Sequence, residues 1–273
     1  MKTIIVPTEF TAASQDAVQF AVDMALHIHA TILLLHVYQV PVVISEVPVS
    51  PLTTDEIKNT SEEKLAELKE EIDKKVSFKI NVITEARPGN IADELHVVCK
   101  TFKPFAVVMG NCQSGKLERM LFGSAALSAI HHLETPVLII PPGARFKPVQ
   151  KIGLAYDFRH FVPDAQQKEI RSIVNEFNAE LHILNVDHNM HGKPENRENT
   201  FLLHRTIADL NPQYHFIDRE SIEEGLSELV EQHNIDFMII IPRKHKLMEA
   251  LFRKSHSDQM TLHTHIPLMA IHE

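Results

Sequence analysis

Tryptophan is absent from this 273-residue chain, cysteine occurs only as Cys99 and Cys112, and there are eight glycines. Two cysteines cannot lace a disulfide framework, and a chain of this length buries enough core without one. Long apolar runs are also missing: the most apolar stretches end after about 5–8 residues, well short of the roughly 20 that a membrane helix needs. The opening MKTIIVPTEF reaches Pro7 and Glu9 before a signal core can develop, so the expected setting is the reduced cytoplasm, with no membrane partner. Basic residues are outnumbered, 27 Lys and Arg against 36 Asp and Glu, for a net charge of −9. That balance argues against nucleic acid as a partner, because backbone binding needs clustered cations.

What the chain does contain is a repeat of itself. KTIIVPTEF at residues 2–10 resembles KIGLAYDF at 151–158, which sets Glu9 against Asp157 at an offset of 148. ATILLLHV at 30–37 resembles AELHILNV at 179–186, an offset of 149, and PFAVVMG at 104–110 resembles DFMIIIP at 236–242, an offset of 132. TPVLIIP at 135–141 resembles IPLMAIH at 266–272. The falling offset shortens the middle of the second copy. The proline-rich PPGARFKPVQ at 141–150 reads as a linker, which predicts two domains, 1–143 and 150–273.

Within each copy, short β-branched runs alternate with stretches of helical period. In the first, residues 3–7 read as a buried strand and 14–29 as a helix with Ala17, Val18, Ala21, Met24, Ala25 and Ile28 on one face. Residues 32–37 read as the second strand. Thr60 with Glu63 forms a capping box that predicts the start of a helix whose Leu65, Leu68 and Ile72 face inward. Strands at 78–84, 106–109 and 136–140 and a helix at 90–101 complete the alternation. The pattern predicts an α/β fold: two tandem doubly wound parallel-sheet domains, five strands each, helices on both faces, right-handed crossovers. Ligands of such sheets sit beyond the strands' carboxyl ends, where strand order reverses, so the informative loops follow Pro7, Val37 and Met109.

After the fourth strand comes GNCQSGKLERMLFGSAALSAI at 110–130, with glycines at 110, 115 and 123 in a segment that leaves a strand and enters a helix near Gly123 and Ser124. Glycines let a backbone approach an anion closely, and free N–H groups at a helix start point toward it. Together with PTEFT after the first strand, LLHV in the second, and HHLETPVLII before the last, this segment resembles the universal stress protein family. The resemblance is strong in the first half and carried by framework alone in the second. It implies an adenine-nucleotide-hydrolase-like fold and a nucleotide loop of glycine, two residues, glycine, nine residues, glycine, then serine or threonine. Gly110 and the Gly123-Ser124 pair match that pattern; its second glycine is replaced by Gln113, with Gly115 two residues on. By the same resemblance Pro7, Thr8 and Glu9 would contact adenosine, Val37 would line the adenine pocket and Met109 would flank it. The family usually carries aspartate where Glu9 stands. The ligand implied is ATP or a related adenine nucleotide, with magnesium as its accompanying ion. In the second copy Asp157 keeps the acid, but PRKHKLMEALFRKSHS contains no glycine and begins with Pro242, which has no N–H to donate. No nucleotide is expected there by the family mode.

Eighteen histidines raise metal binding as a candidate, through the pairs His27 with His29, His131 with His132 and His263 with His265, plus His182, His188 and His191; but close neighbours in a helix point to different sides, and His263 with His265, which would share a strand face, lack an evident acid or cysteine partner. Cys112 lies in the glycine loop, where backbone donors would favour its thiolate; a plain loop thiol is the simpler reading. No paired carboxylates or Ser/His/Asp spacing stands out, so no catalytic residue is assigned, and at most a weak ATPase is expected. The expected function is a stress-response protein that binds nucleotide in its first domain and so controls an interaction with a protein partner. The alternative is a scaffold with both sites degenerate. Family resemblance further implies that the last strands of the two halves, near 137–140 and 267–271, pair within the chain as an internal pseudo-dimer, and it is compatible with a homodimer of whole chains. Residues 38–54, rich in valine and proline, are candidates for a lid or contact surface.

Overall fold

Strand β1 (Thr3–Pro7) opens the chain, a β-branched run whose last four residues are buried. It appears in a computed structural model that describes residues 2–40, 54–111, 123–157, 162–186, 203–242 and 266–272. Helix α1 (Ala12–Ile28) follows, capped by Thr11, whose Oγ1 accepts the N–H of Ser14 at 3.3 Å, and ended by His29 in the left-handed conformation. Thr11→Ala is expected to lower the unfolding free energy by about 1 kcal/mol. A urea midpoint unmoved by the change would show the cap to be idle.

The first half continues with β2 (Thr31–Tyr38), α2 (Thr54–Val76), β3 (Val82–Pro88), α3 (Ile91–Phe102), β4 (Ala106–Gly110), α4 (Ser124–His132) and β5 (Val137–Ile140). Two sequence expectations are corrected. Thr60 does not open α2: the helix begins at Thr54, with Asp55 and Glu56 favouring its positive end, and Thr60 Oγ1 donates to the Glu56 carbonyl at 2.9 Å inside it. The strand expected at 78–84 starts only at Val82, because Ser77 and Phe78 take positive φ of 52° and 57° to turn the chain after α2.

The second half runs β6 (Lys151–Ala155), α5 (Asp164–Phe177), β7 (Glu180–Val186), a short 3-10 turn (Ala208–Leu210), β8 (Gln213–Ile217), α6 (Ile222–His233), β9 (Phe237–Ile240) and β10 (Leu268–Ala270). The ten strands among the described residues form one sheet in the order β3-β2-β1-β4-β5-β10-β9-β6-β7-β8. Neighbours are parallel except at the seam, where Leu268, Met269 and Ala270 run antiparallel to Ile139, Leu138 and Val137. The last strands thus cover each other's open edges. Helices α1, α2 and α5 cover one face of the sheet; α3, α4 and α6 cover the other.

An aromatic group on the first face joins the halves. Phe177, at the end of α5, stands 5.7 Å from Phe237, 6.4 Å from Phe105 and from Phe146, and 6.5 Å from the His27 ring of α1. Phe146 belongs to the connecting segment and meets Phe20 of α1 edge-on at 5.4 Å. Lys2 pairs with Glu176 at 2.6 Å, and Arg145 with Asp16 at 2.8 Å.

Hydrogen-bond register also refines the repeat. Val107 N–H donates to Pro136 O and Met238 N–H to Pro267 O, while Phe105 N–H donates to Thr3 O and Asp236 N–H to Lys151 O. Equivalence in this region is therefore 131 positions, one less than the 132 read from the sequence. Ile241, not Pro242, stands where Gly110 does, and Pro242 stands where Asn111 does.

Candidate functional site

Strand order in the first half reverses between β1 and β4, so the crevice beyond their carboxyl ends is where a doubly wound sheet holds a ligand. The residues there sort by face, since side chains alternate along a strand. Val37 and Met109 belong to the core on the α3 and α4 side, and Pro7, two residues after Ile5 of that core, shares their face. These three lie at the ends of the adjacent strands β2, β1 and β4, an apolar platform for a planar ring.

Thr8 faces the other way. It is 3% exposed, its hydroxyl lies 3.3 Å from Ser14 Oγ and accepts the Phe10 N–H at 3.2 Å, and its backbone N–H donates to Leu35 O at 2.9 Å. The ring of His36 donates from Nδ1 to the Thr8 carbonyl at 2.7 Å. Every polar group of Thr8 has a partner within the protein, so Thr8 shapes the loop that follows β1. Glu9 is exposed on that loop, next to Phe10 at φ 60°.

Gly110 has a packing role of its own. A Cβ there would come within 1.9 Å of the Ala13 carbonyl oxygen, so the first turn of α1 rests directly on the glycine backbone. The family glycine is needed for the fold whether or not phosphate binds. Asn111 gives a different signal: it is 1% exposed, and among the described residues neither its Oδ1 nor its Nδ2 has a hydrogen-bond partner. A buried amide without partners costs about 1–3 kcal/mol. Two residues beyond Met109 on a continuing ladder, with its N–H donating to Ile140 O at 3.1 Å, Asn111 projects to the face that α4 covers.

Helix α4 itself starts openly. Gly123 is its N-cap with no side-chain hydrogen bond to the first turn, and Ser124 follows, exposed. Thr11, Asn90 and Ser221 by contrast cap α1, α3 and α6 with side-chain oxygens. Among the described residues no side chain caps the first-turn N–H groups of α4, as none caps those of α5 behind Pro163. Arg87, paired with Val37 in the sheet register, does not supply a free cation: Glu85 at 2.8 Å and Glu94 at 3.2 Å hold it and keep it firmly charged, Glu85 contributing most. Gln113, Gly115 and Cys112 lie outside the described residues, as do Lys116 and Arg119, the two cations of the same loop that could neutralise a phosphate, most of residues 38–54, and the basic residues Arg243, Lys244, Lys246, Arg253 and Lys254 of the second copy's corresponding loop.

The second half copies the scaffold and not the site. Asn185 Nδ2 donates to Tyr156 O at 2.8 Å, as His36 does to Thr8 O, so both halves pin the carbonyl just beyond their first strand from the second strand. Ile241 then replaces the glycine and Pro242 the asparagine. A seam groove of about 460 Å³, lined by Phe20, Arg145, Lys147, Val149, Asp236 and Phe237, lies apart from the β1/β4 crevice. Its Arg145 is spent on Asp16, and its Asp236 accepts the N–H groups of Gln150 and Lys151 at 3.0 and 2.9 Å.

The sheet and crevice define a doubly wound α/β protein of the nucleotide-hydrolase-like type, duplicated across an antiparallel seam. The universal stress protein family model matches residues 1–141, and the chain belongs to that family. A universal stress protein of Methanocaldococcus jannaschii is 26% identical over 142 residues, 51% of this chain and 81% of that protein. In three dimensions the chain is similar to a universal stress protein from Archaeoglobus fulgidus, with a TM-score of 0.74 at 17% identity over 99% of this chain and 98% of that one. A functionally unknown protein from Pseudomonas aeruginosa superposes over 100% of this chain and 92% of its own, TM-score 0.59, 13% identity. No helix among the described residues is long and apolar enough to cross a membrane.

Proposed function

We propose that residues 1–143 form a domain that binds an adenine nucleotide, ATP with magnesium in the first instance, and that occupancy governs the capture of a protein partner in the cytoplasm. The observation that carries this reading is the Asn111 amide, buried at the β1/β4 switch point without a partner among the described residues. The open start of α4 at Gly123 and Ser124 supports a phosphate nearby, and Pro7, Val37 and Met109 support a flat base above the sheet. ATP would supply a polyanion for the α4 amides and an aromatic ring for the apolar platform. No residue here is assigned a chemical step. Residues 150–273 form the companion domain, without nucleotide, because Ile241 and Pro242 remove both the glycine and a backbone donor.

Asn111→Leu tests the reading by separating binding from folding. The stripped variant is expected to unfold at higher urea, since a strained amide is replaced by an apolar group, and to bind ATP at least about tenfold more weakly. Unchanged ATP affinity would overturn the assignment. Gln113→Gly, which restores the family glycine, is expected to tighten ATP binding. The second reading, a scaffold that binds no nucleotide, is favoured by the packing role of Gly110; it predicts that neither variant changes any heat of ATP binding.

A further inference from the structure

Away from the crevice, the second half holds three histidines in one stack. His182 of β7 and His215 of β8 share a hydrogen bond, Nδ1 to Nε2, at 2.8 Å, and their rings lie 14° from parallel with centroids 5.1 Å apart. His233, the last residue of α6, stacks on His215 at 3.6 Å. His182 is 2% exposed, and the one polar group near its Nε2 among the described residues is the Glu180 carboxylate, at the limit of hydrogen-bond distance. Two charged groups face the stack from neighbouring elements. Lys151 of β6 donates from Nζ to the His233 carbonyl at 3.1 Å, and Glu180 of β7, largely in solvent and bonded to Gln213, comes within 3.5 Å of His182 Nε2. Among the described residues the stack therefore meets one ammonium and one exposed carboxylate.

The internal repeat shows what else can fill this space. Strand and helix equivalence puts His182 where Leu33 stands and His233 where Phe102 stands, and both of those belong to the apolar packing of the first half. Two of the three positions thus have an apolar solution in the same chain, and the third, His215, stands where the first half has Glu85. We propose that the stack is an acid-sensitive latch, in which protonation of the imidazoles releases α6 from β7 and β8 and loosens the second half while the first half stays closed.

Neutral imidazoles can share the 2.8 Å hydrogen bond, one donating and one accepting; two imidazolium rings cannot, and stacked cations repel. Burial lowers the proton affinity of His182 by more than the Glu180 carboxylate raises it, and burial with the neighbouring His233, His182 and Lys151 charges lowers that of His215 to about 4. Above the ordinary histidine value of 6.5 both folded and unfolded chains are neutral here, and pH has no effect through these groups. Below it the unfolded chain takes up protons that the folded stack refuses. Stability is therefore lost as pH falls from 6.5 toward 4. His215 alone shifts the opening equilibrium by at most about 300-fold across that window.

Hydrogen exchange by mass spectrometry on the full chain at pH 7.5 and 5.0, corrected for intrinsic rates, tests the latch. The expected result is at least a tenfold larger loss of protection in β7, β8 and α6 than in β2, β3 and α3, abolished or strongly reduced in the His182→Leu/His233→Phe double variant that copies the first half. Equal losses in the two halves would overturn the proposal. Should the double variant fail to fold, imidazole titration by NMR in the unaltered chain decides: His182 and His215 both titrating near 6.5 would also overturn it, whereas depressed midpoints for those two rings with a matching loss of α6 protection support it.

Discussion

Phe177→Ala is expected to lower the unfolding free energy by about 3–5 kcal/mol, the range for removing a buried phenylalanine ring. The ring is 4% exposed and touches aromatic partners from four different segments: α1, the connection before β4, the 141–150 linker and the start of β9. Truncation would leave a cavity that no single neighbour can fill, because each partner is fixed by its own element. The seam holds only three backbone-paired residues per strand, so this aromatic group is a principal tie between the halves. Urea unfolding followed by far-ultraviolet circular dichroism measures the loss. A change below about 1 kcal/mol would mean that the site collapses around the gap and that the halves are joined mainly elsewhere.

The second large effect is expected from Gly110→Ala. The added Cβ would meet Ala13 O at 1.9 Å and Ala13 C at 2.5 Å, both backbone atoms, so no rotamer change can relieve the overlap. The first turn of α1 has to move, and overpacking of this kind costs about 1–3 kcal/mol. The second half shows the alternative: with Ile241 at the equivalent place, α5 begins at Asp164, about one helical turn later than the repeat of α1 would. Moving α1 also displaces the Thr8–Ser14 contact that shapes the crevice, so ATP affinity is expected to fall together with the thermal midpoint. A wild-type midpoint in this variant would contradict the close approach.

Much of this architecture was legible in the sequence because apolar period and length are local properties. β1, β2, α1 and α3 fall within two residues of their expected bounds, since Thr11 and Asn90 are good caps and the strands are continuous β-branched runs. β3 was displaced because residues 78–82 carry alternating apolar side chains, while the positive φ that breaks the strand falls on Ser77 and Phe78, residues that do not advertise it. The one-residue slip in the repeat arose because Gly110 and Pro242 both close an apolar run; only the hydrogen-bond ladder fixes the register. At the site, the glycine spacing was visible, but the double role of Gly110 depends on where α1 lands. Asn111 and the histidine stack carry no spacing signal. A lone asparagine after a glycine is an ordinary loop residue, and His182, His215 and His233 meet only because three separate elements bring them to one place.

The central claim, one adenine nucleotide site in the first half and none in the second, is tested most directly by isothermal calorimetry of the nucleotide-stripped full chain with ATP and magnesium. The account predicts saturable heat with one site per chain, lost in Gly123→Val at the start of α4. Two equivalent sites, or no heat in a chain that also purifies without bound nucleotide, would contradict it.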